Sequence, residues 1–516
     1  MKRCLCVAGA LALIGAAAAQ DWPAWGGADP GRNMYAATRG LPKVFHPGQP
    51  KAGSEETDPA TTTNLLWEIA LGSQTYGNPV VAGGRVYVGT NNDNPRDERH
   101  KGDRSILLCL DEKTGRLLWQ LVVPKLKAGK AMDWESLGIL ASPCVVGNRL
   151  YLVTSRCEVL CLDTEGMANG NDGPFTDEAN YVVMETGLAP IPPGPHDADI
   201  LWRYDMLDEL GVFPHNAANG SVLVMGNLVY APTSNGTDWS QSNVPSPFSP
   251  SLIALDARSG LLAAVDDAAI GPRIFHGQWS SPSGGIVDGR PLVFFGGGDG
   301  WLYAFDAQPS NVKGTNVLKV VWRADVNPRE YRFADGRPIK YGAAEGPSEI
   351  NATPVFFEDR VYVAIGQDPE QGEGVGRLAC YTARRTGEVS VQGLVWDFRQ
   401  IHRSISTVAI DPASGLLFAA DFSGFVYCLD ARTGQLHWTH DLKAHVWGSP
   451  LVADGRVYIG DEDGDLCVFE VNKTRKVLAQ VTFQGPIYST PVAANSTLYI
   501  ATPSRLYAFK EAARQP

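Results

Sequence analysis

The chain has 516 residues, of which 44% are hydrophobic, so it can bury an ample core. Its formal net charge of -12 argues against nucleic acid or an anionic membrane surface as a partner. The 55 glycines and 35 prolines suit a single large all-β body with many turns.

The N-terminus has the features of an export signal. A charged start is followed by an apolar run over residues 7–14 and by a small-residue cleavage site at Ala17-x-Ala19. The apolar run is too short to span a bilayer, so we expect no membrane insertion. The sequence therefore predicts a signal peptide at residues 1–19 and a periplasmic or secreted mature protein that begins near Gln20.

Residues 20–63 are predicted to form an irregular N-terminal leader, because they are rich in Pro, Gly and Thr. The run from Asp21 to Trp25 is expected to anchor this leader to the body. A lone strand that carries Trp67 follows at residues 65–71, with no strands before it to complete a sheet.

From there on, the chain repeats one unit. A unit opens with a Ser-Pro-like step, continues through two short alternating strands and a third that often ends in Leu-Asp-x-x-Thr-Gly, and closes with a strand that often carries Trp. Asp-Gly turns between alternating runs are typical of hairpins. The opening steps are Asn78-Pro79, Ser142-Pro143, Asn219-Gly220, Ser281-Pro282, Thr353-Pro354, Ser406-Thr407, Ser449-Pro450 and Thr490-Pro491. Eight such units predict an all-β fold, an eight-bladed β-propeller of four-stranded antiparallel blades.

The two ends of the repeat region complement each other. The last unit ends at residues 506–510 without a fourth strand, whereas strand 65–71 has no blade of its own. Since a ring leaves unpaired edges unless its ends join, we predict that the N-terminal strand completes the last blade. The propeller is accordingly predicted over residues 64–512.

The cysteines are interpreted mainly as packing residues. Four of them occupy one repeat position that Ala takes in other units, which favours small buried side chains: Cys109, Cys161, Cys380 and Cys428. Cys144 and Cys157 share a blade, and whether they form a disulfide is left open.

Four of the nine histidines fall at one repeat position, four or five residues before the opening step: His215, His276, His402 and His445. Glu349 takes this position in the fifth unit. The position leads into the innermost strand, so these side chains are predicted to ring the mouth of the central channel. They could hold a divalent metal through two or three His and Glu349, or each His could cap its own turn by a backbone hydrogen bond.

Most long insertions are predicted on that same face, where loops on a rigid scaffold often carry function. Three residues close to the His position are further ligand candidates: Trp279, Arg403 and Trp447. A Gly-rich insertion adds Asp368, Glu370 and Glu373, which we interpret either as a site for a cation or basic ligand or as a solvated turn.

Three segments, 366–376, 401–406 and 460–465, resemble recurrent motifs of the exported pyrroloquinoline-quinone (PQQ)-like repeat β-propellers of the quinoprotein alcohol dehydrogenase-like superfamily. The resemblance covers roughly residues 64–510 and implies the propeller fold. The same architecture serves dehydrogenases and the outer-membrane assembly factor BamB, so the fold does not decide the function.

Resemblance to the dehydrogenases implies PQQ and Ca²⁺ as cofactors. Asn235, within the segment 233–239, matches their calcium-binding Asn. Two features depart from their pattern: the chain has no adjacent cysteine pair, and residues 243–250 offer no Asp where the catalytic base is expected. We therefore regard PQQ as the less favoured cofactor.

The favoured hypothesis is a ligand-binding or scaffolding module whose channel mouth takes a small-molecule, glycan or protein ligand. Three alternatives remain open: a PQQ/Ca-dependent quinoprotein dehydrogenase, a metal-assisted lyase or hydrolase that uses the His ring, and a BamB-like outer-membrane assembly factor. The sequence leaves undecided whether the protein is an enzyme.

Overall fold

The structure is a computed structural model that describes residues 20–54, 56–184, 188–372 and 374–512. The predicted signal peptide and Glu373 lie outside these residues. Eight sheets form an eight-bladed β-propeller, as the sequence predicts. Within the described ranges, no helix has both the length and the apolar character that crossing a membrane requires.

The strands are numbered along the chain. The leader and the strand after it contribute β1 (Tyr35–Ala36), β2 (Gln49–Pro50), β3 (Thr57–Asp58) and β4 (Leu65–Ala70). Blade 1 contains β5 (Val80–Ala82), β6 (Arg85–Asn91), β7 (Arg104–Asp111) and β8 (Leu117–Pro124). Blade 2 contains β9 (Cys144–Val146), β10 (Arg149–Val153), β11 (Glu158–Asp163) and β12 (Ile200–Asp205). Blade 3 contains β13 (Leu223–Met225), β14 (Leu228–Pro232), β15 (Leu252–Asp256) and β16 (Leu262–Asp266).

Blade 4 contains β17 (Ser283–Val287), β18 (Arg290–Gly296), β19 (Trp301–Asp306) and β22 (Val320–Asp325). Between β19 and β22 the chain inserts a hairpin of β20 (Ser310–Val312) and β21 (Thr315–Leu318), which belongs to the sheet of blade 3. A small hairpin of β23 (Phe333–Ala334) and β24 (Arg337–Pro338) follows. Blade 5 then contains β25 (Val355–Phe357), β26 (Arg360–Ile365), β27 (Arg377–Thr382) and β29 (Leu394–Phe398), and β28 (Gly387–Glu388), inserted before β29, belongs to the sheet of blade 4.

Blade 6 contains β30 (Ala409–Ile410), β31 (Leu416–Ala420), β32 (Phe425–Asp430) and β33 (Leu436–Asp441). Blade 7 contains β34 (Leu451–Ala453), β35 (Arg456–Gly460), β36 (Asp465–Glu470) and β37 (Val477–Thr482). Blade 8 contains β38 (Val492–Ala494), β39 (Thr497–Ala501) and β40 (Arg505–Lys510). Three short helices lie in the connections: α1 (Glu178–Tyr181), α2 (Met206–Leu210) and α3 (Arg329–Arg332).

Burial within a blade follows from its place in the ring. The inner strands have neighbouring blades on both faces, so successive residues are buried whichever way they point, as along β11 and β31. The outermost strand reaches solvent, and β37 is correspondingly exposed at most positions. This is why the hydrophobic runs of the repeat are short and nearly continuous in the middle of each unit.

The ring closes through the N-terminal strand. β4 pairs antiparallel with β40, with Trp67 opposite Ala508, so blade 8 consists of β38, β39, β40 and β4. This is the pairing that the two incomplete ends of the repeat region predict. Two blades carry additional outer strands. The hairpin of β21 and β20 joins blade 3, with β21 parallel to β16, and β28 joins blade 4 parallel to β22.

The repeated tryptophans fasten each blade to the next. In six fourth strands the indole Nε1 donates to a backbone oxygen of the following blade: Trp67 to Glu112, Trp119 to Thr164, Trp202 to Ala257, Trp322 to Ala383, Trp396 to Ala431 and Trp438 to Asn472. The turn of that blade brings a glycine against the ring; a Cβ on Gly115 would lie 2.8 Å from Trp67. Gly115 also has φ +70°, so the Thr-Gly ending of the third strand serves both the turn and the contact.

The cysteines act as buried packing residues. All seven described cysteines are free and buried, including Cys144 and Cys157, so these two do not form a disulfide. Burial raises the pKa of the Cys157 thiol well above its usual value. The thiol at this site is therefore protonated and inert.

The start of the leader lies inside the ring. Residues 20–36 contact the innermost strand, or the residue next to it, in every blade. From blade 1 to blade 8 the contacts are Trp22 with Val81, Val145 N to Pro23 O, Arg32 Nη2 to Val222 O, Gly284 N to Pro30 O, Phe356 N to Gly31 O, Ile410 N to Asn33 Oδ1, Val452 N to Met34 O, and Asn495 N to Gln20 O. The segment 20–36, called the channel segment below, therefore fills one end of the central channel.

Candidate functional site

A cavity of about 510 Å³ occupies the other end of the channel, above the channel segment. Trp25 of that segment contributes to its lining, so the segment forms part of the cavity floor. The remaining lining comes from the starts of the inner strands and from two insertions, one around Trp134 and one around Asp368. The insertions are those that the sequence places on this face.

A belt of hydrogen bonds surrounds the lower part of the cavity. The backbone N–H near the opening step of one unit donates to the side-chain oxygen of the next: Asn78 to Ser142, Ser142 to Ser221, Ser221 to Ser281, Thr353 to Thr407, Thr407 to Ser449, Ser449 to Thr490 and Thr490 to Asn78. At Thr353 the hydroxyl instead accepts from Trp25 Nε1 at 2.9 Å. The Ser-Pro-like steps thus join neighbouring blades and tie the floor to the wall.

Aromatic rings form the upper wall. Tyr76 and Tyr488 stack with their centroids 5.3 Å apart, and Trp447 meets Tyr488 edge-on at 5.6 Å. Trp279 and Trp134 add two further rings to the lining. With Trp25 in the floor, six aromatic side chains face one cavity.

The residues at the His position of each unit support this wall from behind. Trp279 lies 5.8 Å from the His215 ring and 5.5 Å from the His276 ring, and its Nε1 donates to the His215 backbone oxygen. Burial, with a smaller contribution from His215, lowers the pKa of His276 to about 3, so its imidazole is neutral at physiological pH. The two rings therefore pack as aromatic supports of Trp279.

The same arrangement recurs on other blades. His445 stacks on Phe422 at 4.4 Å, and Phe422 in turn meets Trp447 edge-on at 5.0 Å. In blade 1 the Tyr76 hydroxyl donates to Gln74 Oε1 at 2.8 Å. A side chain at the His position thus orients the aromatic residue that lines the cavity two or three residues later.

The predicted metal ring is not formed by these residues. His215 and His276 do meet, with ring centroids 4.2 Å apart, but the Nδ1 of His215 lies 2.6 Å from the Thr237 backbone oxygen. Nδ1 of His402 contacts Asp421 at 2.9 Å, and Nδ1 of His445 contacts the Phe422 backbone oxygen at 2.9 Å. Three of the four rings are thus turned toward partners in nearby loops, whereas Nδ1 of His276 has no hydrogen-bond partner among the described residues. The four rings do not converge with Glu349 on one position, which corrects the predicted ring.

Among the described residues, the single group of three or more metal-ligating side chains with atoms within 4.8 Å of one another is Asp97, His100 and Asp197. Arg99 Nη2 lies 2.5 Å from Asp97 Oδ2 and 3.1 Å from Asp197 Oδ2. An ion pair with Arg99 accounts for the proximity of the two carboxylates. The group also lies apart from the channel cavity.

Glu349 lies beneath the wall, fully buried. Its Oε1 accepts from the Tyr341 hydroxyl at 2.9 Å and from the Asp368 backbone N–H at 3.0 Å, while its Oε2 has no hydrogen-bond partner among the described residues. Burial, and secondly the charge of Asp368, raise the pKa of Glu349 to about 8. Glu349 is therefore protonated at neutral pH.

The acidic insertion reaches the cavity directly. Asp368, Pro369 and Glu370 belong to its lining, and Asp368 Oδ1 accepts from the Glu370 backbone N–H at 2.9 Å. Burial, with a contribution from Glu370, raises the pKa of Asp368 to about 6. Arg403 lies beside this loop, with its guanidinium carbon 4.6 Å from the centre of the Phe422 ring and a hydrogen bond from Nη1 to the Pro369 oxygen.

Four sequence-predicted ligand candidates thus line the cavity: Trp279, Trp447, Asp368 and Glu370. The sequence reasoning missed Trp25, Trp134 and Glu135. The sequence predicts Trp25 only as part of an anchoring run, because its place in the floor depends on the path of the leader through the ring. Trp134 and Glu135 stand in an insertion of the channel-mouth face, which was the available signal.

Asn235 does not fit the role of a calcium ligand beside PQQ. Its side chain is completely buried; Oδ1 accepts from the Phe213 N–H at 3.0 Å and Nδ2 donates to the Ser246 oxygen at 2.9 Å. Both polar groups therefore brace two loops of blade 3. Asn235 is also absent from the lining of the cavity, so the donor set that the resemblance implies is not assembled there.

A family model described as outer membrane protein assembly factor BamB matches residues 59–171 and 319–513, more than half of the chain. A polyvinylalcohol dehydrogenase of Sphingopyxis sp. (strain 113P3) is 23% identical over 411 residues, which are 68% of this chain and 55% of that protein. The chain thus spans about half the length of this curated relative.

Two solved structures share the fold over most of the chain. BamB from Moraxella catarrhalis superposes with a TM-score of 0.53 at 14% identity, covering 87% of this chain and 99% of that one. A europium-containing methanol dehydrogenase superposes with a TM-score of 0.58 at 12% identity, covering 95% and 98%. At these identities the likeness concerns the architecture alone.

Proposed function

We propose that this chain, which belongs to the PQQ-type repeat β-propeller family whose model is described as outer membrane protein assembly factor BamB, is a binding module that takes a small-molecule or glycan ligand into its channel cavity. The observation that carries the proposal is the concave, aromatic-lined cavity of about 510 Å³. Ligand sites are commonly concave, of this size, and lined by aromatic side chains with a few polar groups among them.

The cavity is held in shape before any ligand arrives. The hydrogen-bonded belt joins neighbouring blades beneath it, and the side chains at the His position hold Trp279 and Trp447 from behind. A preformed site loses less conformational entropy on binding, so more of the contact energy appears as affinity.

The lining favours a ligand with apolar faces and polar edges. The rings offer flat apolar surface, whereas Gln74, Asn216 and Asn351 place amide groups between them. A sugar ring or a polyol chain has this combination. One relative is named as a dehydrogenase of polyvinyl alcohol, a polyol chain, which makes that polymer a reasonable probe.

We propose an exported location for the protein. The N-terminal signal features support this, as does the seating of Gln20, whose backbone N–H donates to Asn495 Oδ1 at 2.6 Å. Cleavage before Gln20 would produce a mature N-terminus that is already bound to blade 8. N-terminal sequencing of the exported protein tests this expectation.

The binding proposal is tested by calorimetry of the full mature protein with three probes: a polyvinyl alcohol oligomer, a glucosamine hexamer and its N-acetylated counterpart. At least one probe should bind, and Trp279→Ala and Trp447→Ala should each weaken it about tenfold or more through loss of ring contacts. Trp239→Ala is the matched control, because Trp239 is 63% exposed and lies outside the lining. Failure of all three probes, or an equal effect of the control, would contradict the proposal.

A further inference from the structure

We infer that the cavity selects a cationic, amine-bearing ligand, such as an amino-sugar oligomer, over a neutral ligand of the same shape. The inference rests on the proposed function, because it names the ligand class of the same cavity. Two features of the lining support it: the sign of its charges and its aromatic rings.

All charged side chains in the lining are acidic. They are Glu135, Asp368 and Glu370, and the lining contains no Lys, Arg or His. A further carboxylate, Glu462, accepts from the hydroxyl of the lining residue Tyr488 at 3.4 Å. Such a set repels an anion and attracts a cation, and the effect is enhanced within a concave, partly desolvated surface.

The Asp368 carboxylate is placed at a cost that a bound cation would relieve. Burial and the Glu370 charge disfavour its ionised form more than the Glu370 N–H and the nearby Arg403 favour it, so its pKa is raised. The Glu370 charge also acts on Tyr76, a ring of the same wall. A ligand ammonium group near Asp368 and Glu370 would compensate both carboxylates at once.

The aromatic rings match a cation as well. Ammonium groups are attracted to the faces of Trp and Tyr rings, and several rings around one cavity are typical of sites for such ligands. Here Tyr76, Tyr488 and Trp447 are packed together on the wall, and Tyr488 carries Glu462 on its hydroxyl. The aromatic wall thus has a carboxylate, Glu462, in direct contact with one of its rings.

The buried polar atoms without a partner do not decide between a cationic and a neutral ligand. On lining residues they include the acceptors Asn219 Oδ1 and Asn351 Oδ1 and the donor Trp447 Nε1, none of which has a partner in the described part of the chain.

The test compares the glucosamine hexamer with its N-acetylated counterpart, at a slightly acidic pH where the free amines are charged. The two probes share one sugar backbone and differ in whether the nitrogen carries a charge. The cationic hexamer should bind about tenfold more tightly, and its affinity should fall as salt is added because salt screens partly exposed charges. The affinity of the N-acetylated hexamer should change little with salt.

Variants identify the side chains that cause the preference for the cationic hexamer. The double variant Asp368→Asn/Glu370→Gln keeps the shapes of both side chains and should bring the two affinities within about threefold of each other. Glu56→Gln makes the same kind of charge change on an exposed side chain of the leader and should leave the preference intact. Equal or tighter binding of the N-acetylated hexamer would overturn the inference while the proposed function stands, whereas failure of every probe would overturn both.

Discussion

At the scale of single residues, Glu349 connects the site to stability. Burial and Asp368 raise its pKa to about 8, whereas an unfolded Glu titrates near 4.5, the reference value. Between these values the folded protein binds more protons at this residue than the unfolded chain does. The contribution of Glu349 to stability is therefore lost as pH rises from about 4.5 to about 8.

Glu349→Gln should abolish this dependence, because the amide stays neutral and its oxygen can still accept from Tyr341 and Asp368. We expect the free energy of unfolding of the variant to exceed that of the wild type increasingly as pH rises, by roughly a few kcal/mol at pH 8.5. Urea unfolding of both proteins across this range measures the difference. Parallel stability curves would show that Glu349 is not buried as a neutral acid.

The histidines show how far the sequence informs about individual side chains. The shared position in the repeat indicated a common location near the channel mouth, and His215 and His276 are in contact as predicted for adjacent blades. The metal chemistry did not follow, because ring orientation depends on partners such as Thr237 and Phe422. The orientation of each His ring toward these partners depends on the geometry of the blades, which the periodicity of the sequence does not reveal.

At the scale of elements, a single substitution can test the position of the channel segment. Gly31 passes so close to blade 5 that a Cβ would lie 2.3 Å from the Phe356 backbone oxygen. Gly31→Ala should push the segment off the inner strands, lower the stability by about 1–3 kcal/mol, and expose the N-terminus to proteases. Limited proteolysis and thermal unfolding measure both effects.

Gly194→Ala is the matched control, since its Cβ would meet one atom, at 3.7 Å. If Gly31→Ala has the same unfolding temperature and the same protease resistance as the control variant, the leader does not lie in the channel as described. A loss of probe binding in Gly31→Ala alone would further link the channel segment to the floor of the cavity.

Trp67 is the element-scale test of ring closure. Trp67 lies in β4, which pairs with β40 of blade 8, and its indole Nε1 donates to the backbone oxygen of Glu112 in blade 1. The side chain therefore connects the last blade to the first. Trp67→Ala should cost about 3–5 kcal/mol, as expected for a buried aromatic anchor. The exposed Trp239→Ala should change the free energy of unfolding by less than about 0.5 kcal/mol. A similar small effect of both variants in urea unfolding would exclude an anchoring role.

The strands themselves were predictable because each repeat carries its own hairpin signals, and eight copies reinforce one another. The additional edge strands were not. β21 pairs with β16 of the preceding blade and β28 pairs with β22, and neither pairing has a local turn that specifies it. The course of the leader through the ring could not be predicted for the same reason, because its contacts are isolated hydrogen bonds to different blades and a two-residue pairing of β1 with β34.

At the scale of the whole molecule, the architecture separates fold from chemistry. The full mature protein, supplied with PQQ and Ca²⁺, should show no alcohol- or sugar-dependent dye reduction, because Asn235 is committed to Phe213 and Ser246. A dye-linked assay with and without added PQQ measures this. Turnover that disappears in Asn235→Ala would contradict the prediction and favour a quinoprotein dehydrogenase.

The seating of the channel segment also determines the order in which the molecule can be completed. Gln20 and Asn495 are 475 positions apart in sequence, yet they share a hydrogen bond, and every blade between them contributes a contact to the segment. The residues that leave the ribosome first therefore cannot reach their final place until the last blade exists. Contacts of such long range are slow to form, so a late kinetic phase is expected in refolding. A chain that lacks any one blade leaves part of the segment without its partner, and the protected N-terminus thus distinguishes finished molecules from unfinished ones.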